Sequence, residues 1–192
     1  MEILAQVIGI VGMVVNLLAY QQKKQKNLIL FQLGGSAMFF LNFLLLGIVD
    51  GVFYIGTLMN LLGIFRSIVF ANKKLFRSDK PFWIGIMTAL YLGAYALVFT
   101  VFGTKPTVYN LLIEFIPVVA MIAGTLVVYM KEARNARKLS LISSPSWLIY
   151  DVAAGSVGGT IGEILNIVSI FVGMIRHDIK RKGNDQADKT EP

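Results

Sequence analysis

Long apolar runs, interrupted by short charged clusters, make up most of the chain. They predict seven helices, over about 3–20, 28–47, 52–70, 82–102, 107–130, 142–160 and 161–176. A helix needs about 20 mostly apolar residues to cross a bilayer, and these runs come close to that length. Pro81 falls where the fourth run begins, a place that suits a residue with no N–H. Almost nothing separates the last two runs, so 142–176 reads as a tight hairpin.

The connections between runs differ in charge. Lys23, Lys24 and Lys26 follow the first run, and Lys73, Lys74, Arg77 and Lys80 the third. Lys131, Arg134, Arg137 and Lys138 follow the fifth; Arg176, Lys180, Arg181, Lys182 and Lys189 follow the seventh. The connections on the other side contain only Lys105. Short loops rich in Lys and Arg stay in the cytoplasm, so the N-terminus is expected outside and the C-terminus inside. The first run is preceded by no positive charge and followed by no A-x-A site, so it reads as an uncleaved helix. Residues 178–192 are polar and are expected to form a disordered cytoplasmic tail.

One stretch echoes another. Phe39 to Asn42 (FFLN) precede Gly47 and Gly51, and then the run NLLGIF from Asn60 to Phe65. Downstream, Trp147 to Asp151 (WLIYD) precede Gly155, Gly158, Gly159 and Gly162, and then NIVSIF from Asn166 to Phe171. The echo divides the chain into a first three-helix unit at 1–72, a linking helix at 81–103 and a second three-helix unit at 106–177. A three-helix unit ends on the side opposite to its start. The linking helix restores the side, so both units run in the same direction, related by an axis along the membrane normal. The predicted fold is therefore all-α, with seven transmembrane helices in a 3+1+3 parallel repeat.

Composition supports a membrane setting. Hydrophobic residues make up 56% and charged residues 15% of the chain, too few to cover a soluble domain. Mean hydropathy is +0.68. The net charge of +7 is carried by the short loops, so topology accounts for it without a nucleic-acid partner. The chain has no cysteine, which excludes disulfides and thiolate chemistry. There is no phosphate loop, paired catalytic carboxylates or Ser/His/Asp order, and His177 stands alone in the basic tail. No enzyme activity, cofactor or metal is expected. The bilayer is the expected surrounding, and the pattern leaves a homo-oligomer open.

Polar groups inside the runs are the candidate chemistry, because lipid offers them no partner. Asn60 and Asn166, matched in the two units and within about eight residues of the outer helix ends, could hydrogen-bond a polar ligand; Asn42 stands near them. The alternative is that the amides staple helices together, at about 0.6–2 kcal/mol each. Among ionisable residues, Asp151 is read as near the middle of the sixth helix beside Tyr150, where it could bind substrate or carry a proton. Glu163 lies one turn before Asn166 on the same face. For Glu114 and Arg66, structural pairing or snorkelling is the simpler expectation. Trp147 and Trp83 read as interfacial aromatics, and Gly155, Gly158, Gly159 and Gly162 as close helix packing.

Several of these residues carry a resemblance. Tyr20-Gln21-Gln22, the run from Phe39 to Gly47, and Asn60 followed by Arg66 resemble the YgjV-type bacterial inner-membrane proteins over most of 1–180. That family is similar to the PQ-loop and SWEET sugar facilitators. The resemblance implies two three-helix bundles with substrate held between them, in the inner membrane of a bacterium. It also implies a cavity-facing asparagine on the third helix of each bundle, which Asn60 and Asn166 match. An aromatic is expected about sixteen residues earlier, where Tyr150 and Phe43 or Leu44 stand. Tyr20-Gln21-Gln22 occupies the place of the Pro-Gln hinge; Pro117 and Pro145 are present in the second unit, against Gly9, Gly12, Gly34 and Gly35 in the first. The expected function is a transporter or facilitator of a small polar solute, sugar-like or vitamin-like. The alternative is a non-transporting membrane protein with an interaction or regulatory role.

Overall fold

The apolar runs fold into helices in a computed structural model that describes residues 1–20, 25–78, 80–130 and 133–175, and their side chains except at 19–20, 25–29, 73–74 and 133. The basic residues at 23–24, 131 and 176–189, His177 and the 178–192 tail lie outside the described residues. In chain order the helices are α1 (Glu2–Tyr20), α2 (Gln25–Asp50), α3 (Ile55–Ala71), the one-turn α4 (Lys73–Phe76), α5 (Phe82–Thr100), α6 (Val108–Tyr129), α7 (Ala133–Ala153) and α8 (Val157–Met174). Among the described residues four segments are long and apolar enough to cross a membrane: Leu30–Asp50, Phe82–Thr100, Val108–Tyr129 and Val157–Met174. Glu2–Leu18 and Ile55–Ala71 are shorter apolar helices.

Local chemistry sets several ends. Thr107 caps α6 by accepting from the Asn110 N–H at 3.2 Å, and Ser156 caps α8 by accepting from Gly159 at 3.3 Å. Pro81 opens α5, as its missing N–H predicts. Arg77 closes α4 in the left-handed region (φ 50°), and the Trp83 indole N–H donates to the Phe76 carbonyl at 2.8 Å. This small cap at the basic end was not foreseen.

The last hairpin departs most from expectation. Its turn falls at 154–156, not near 160, because Gly155 adopts φ +67° and Ser156 begins a new helix. Asp151 therefore lies in the last turn of α7, not near its middle. At the other end α7 begins at Ala133, so Arg134, Arg137 and Lys138 belong to the helix and not to a loop. With the helix starting earlier, Trp147 falls well inside it.

Packing follows the chain: α2 lies between α1 and α3, and α7 between α6 and α8. Helix α1 also packs on α8, and α3 on α6. Helix α5 packs on α3 and α6, held by a Tyr91–Thr125 hydroxyl pair at 2.9 Å and by Tyr95 donating to the Leu111 carbonyl at 3.0 Å. The shared core includes Phe43, Ile55, Met59, Met87, Tyr91, Val118 and Tyr150. Outward faces carry large apolar side chains such as Ile3, Val7, Val14, Ile164, Val168 and Phe171, as suits contact with lipid.

Candidate functional site

A polar face on α7 organises the site. Ser140, Ser143, Ser144, Trp147 and Asp151 follow helical spacing and line one cavity, so they share a stripe. Gln32, Ser36, Phe39 and Phe43 do the same on α2. The shift along the chain that carries Gln32 to Ser140 also carries Ser36 to Ser144, Phe39 to Trp147 and Phe43 to Asp151. Asn16 of α1 and Gly124 of α6 are related by the same shift and also line the cavity. Helices α3 and α8 add Asn60, Gly63 and Arg66, and Glu163 and Asn166. The cavity holds about 140 Å³. It runs from Asp151 and Phe43 to Val127, Val128 and Ser140, near the helix ends that carry the basic connections.

Four of the residues predicted from sequence therefore meet in this cavity: Asn60, Asn166, Asp151 and Glu163. The two asparagines differ in their partners. The Asn60 amide donates to the Gly56 carbonyl of its own helix at 2.9 Å, so it joins no helices. The Asn166 amide donates to the Ser144 hydroxyl on α7 at 2.7 Å and, more weakly, to Glu163 at 3.4 Å. It therefore staples α8 to α7 as well as facing the cavity. Arg66 turns inward, contrary to the snorkelling expected. Its NH1 is buried without a hydrogen-bond partner, next to Gly124, where an added Cβ would lie 3.1 Å away.

Asn42 and Tyr150 lie outside this cavity. Asn42 is fully buried: its amide donates to the Ala5 carbonyl at 2.7 Å and its oxygen accepts from the Ser156 hydroxyl at 2.8 Å. It ties α2 to α1 and to the cap of α8. Tyr150 lines a second cavity of about 480 Å³ at the opposite end, with Glu114, Tyr54, Lys105 and Tyr109.

A thin wall separates the two cavities. The Tyr150 and Phe43 rings meet at 5.5 Å, and a Cβ on Gly56 would touch both at 2.9 Å. The wall also carries two bonds that latch α3 to α6 and α7. The first N–H groups of a helix have no partner within it, and Tyr54 supplies no side-chain cap to α3. Glu114 of α6 instead accepts from the Ile55 N–H at 3.2 Å, and the Tyr150 hydroxyl of α7 accepts from the Gly56 N–H at 2.9 Å.

Sequence reasoning missed Asn16, Gln32, Ser36 and the serines of α7. The signal was present: the α7 serines continue to Trp147 and Asp151 at helical spacing, and Asn16 interrupts an apolar run. Among the described residues no group of three or more His, Cys, Asp or Glu side chains is placed to hold a metal ion. Searches of curated proteins and of solved structures found no match. A family model described as Imp-YgjV, bacterial inner membrane protein, matches residues 3–181. The apolar helices agree with that setting, and the chain belongs to the Imp-YgjV family of bacterial inner membrane proteins.

Proposed function

We propose that the protein carries a small polar solute across the membrane, by rocking one three-helix unit against the other around the polar cavity. The observation that carries this reading is the cavity itself, lined by matched positions of α2 and α7 and by Asn60 and Asn166. The 3+1+3 arrangement is supported by the packing: exchanging α1, α2 and α3 for α6, α7 and α8 turns each neighbour pair within and between the units into another neighbour pair. Parallel repeats of this kind place their solute at the interface between units. The cavity reaches toward the basic end, taken as cytoplasmic from the loop charges, while the Tyr150–Gly56 and Glu114–Ile55 bonds close the other end.

Transport then needs few parts. Solute enters from the basic end and meets Asn60, Asn166 and the serines of α7. Rocking breaks the two backbone bonds of the latch and moves Phe43 away from Tyr150. The 480 Å³ outer cavity then joins the inner one. The test is flux into proteoliposomes holding the full chain, against a panel of sugars, nucleosides, vitamins and amino acids. At least one compound is expected to exchange well above protein-free vesicles. A folded, correctly inserted protein that exchanges none of them would refute transport.

A further inference from the structure

The cavity is symmetric in its frame and asymmetric in its charge. Among the described lining residues, the first unit contributes Arg66 and no carboxyl group, and the second Asp151 and Glu163 and no cation. The matched position for Asp151 is Phe43, an aromatic. Taking Asn60 onto Asn166 places Val172 opposite Arg66 and Thr57 opposite Glu163. The charges therefore belong to this chain's particular ligand and not to the repeat.

Their spacing along the cavity can be read from the helices. An α-helix rises about 1.5 Å per residue. Gly159 packs against the Asp151 carboxyl, so the two share a level, and Glu163 lies one turn, about 6 Å, further inward. Gly124 neighbours both Arg66 NH1 and the Ser143 hydroxyl, so the guanidinium sits near the level of Ser143. Ser143 is two turns inward of Asp151, about 12 Å. The guanidinium thus stands about 6 Å along the axis from Glu163 and about 12 Å from Asp151. Phe39 and Trp147 face the space between the two poles. Glu163 accepts from the Ser144 hydroxyl and, weakly at 3.4 Å, from the Asn166 amide, whereas NH1 of Arg66 has no protein partner. A buried N–H donor without a partner costs free energy, which an anionic acceptor would offset.

We propose that the solute is a small zwitterion, with its carboxylate on Arg66 and its amine on Glu163 and Asp151. This rests on the transport reading above for its route but not for its binding. An ammonium and a carboxylate separated by one carbon span from Arg66 to Glu163 at hydrogen-bond distances, and about three carbons are needed to reach Asp151 as well. Size agrees: a cavity of about 150 Å³ accepts benzene, so 140 Å³ suits about six to ten non-hydrogen atoms. Bridging both units, such a solute would draw them together. A sugar hydroxyl can accept from NH1 but brings no negative charge to Arg66.

The test is binding by the purified full chain, read as thermal stabilisation and by titration. The probes are glycine, L-alanine, L-serine and γ-aminobutyrate. The controls are propionate (acid only), ethylamine (amine only) and glucose. At least one zwitterion is expected to bind, with each control at least tenfold weaker. Arg66→Gln and Glu163→Gln should each weaken binding at least tenfold. Should Arg66→Gln fold poorly, Arg66→Lys keeps the charge without the fork and Gly124→Ala crowds NH1 only; both should lie between wild type and no binding. The proposal is overturned if glucose binds best, if propionate or ethylamine matches the zwitterion, or if no zwitterion binds the folded protein. Zwitterion binding without flux in proteoliposomes would uphold this inference and remove transport. Glucose flux insensitive to Arg66→Gln would do the reverse.

Discussion

Gly158→Ala is expected to be the most damaging single-methyl change in the chain. A Cβ at this position would fall on the backbone of Gly9 and Ile10, where α8 crosses α1 with no side chain between them. Backbone cannot swing aside as a side chain can, so the helices must separate and the α1–α8 contact between the units opens. Overpacking typically costs about 1–3 kcal/mol, and this site belongs at the upper end or beyond. For a chain of this size that is a fall in Tm of roughly 6–12 °C, measured on the purified protein in detergent. Gly162→Ala is the control. There the added methyl meets the flexible Met13 side chain at 3.1 Å, which can move, and the expected loss is under about 1 kcal/mol. Equal melting temperatures for the two variants would contradict this packing.

Asn60→Ala is expected to lower solute flux at least tenfold with little loss of stability. The Asn60 amide bonds only within α3, so its removal costs about 0.5–1.5 kcal/mol at most and parts no helices. The cavity, in contrast, loses one of its two matched amides. Asn166→Ala should behave differently, because it also loses the Ser144 bond across α7 and α8. It should lower flux and Tm together, the latter reflecting about 0.6 kcal/mol or more. Flux assays paired with melting curves separate the two cases. If Asn60→Ala transports normally, the amide is a local helix bond and nothing more.

The helices were legible in the sequence because an apolar run long enough to cross a bilayer has few other fates. The echo between Asn60 and Asn166 also led to one cavity, which both residues line. What the sequence hid was depth. Asp151 was placed near the middle of its helix and lies in the last turn, because the hairpin turns on a left-handed Gly155, and α7 extends back through Arg134 and Arg137. Within a continuous apolar stretch, nothing in composition marks which of four glycines makes the turn. Partnership was hidden too. Asn42 and Asn60 look alike as lone amides in apolar runs, yet Asn42 is held by Ala5 and Ser156, from opposite ends of the chain. The caps of α3 by Glu114 and Tyr150 likewise depend on a contact between units that no local pattern records.

The central claim is that one cavity is reached from either face in turn, and accessibility measures that directly. The natural chain has no cysteine, so a single reporter needs no background removal. Ser36 lines the inner cavity opposite Gly63, below the wall made by Phe43 and Tyr150. Ser36→Cys should react quickly with a membrane-impermeant thiol reagent added at the face of the basic connections, and slowly from the other face. Tyr150→Phe removes the hydroxyl that holds the Gly56 N–H and weakens the latch. In the double variant, the rate from the far face should rise at least tenfold. Reaction from one face only, at the same rate with or without Tyr150→Phe, would contradict an alternating cavity.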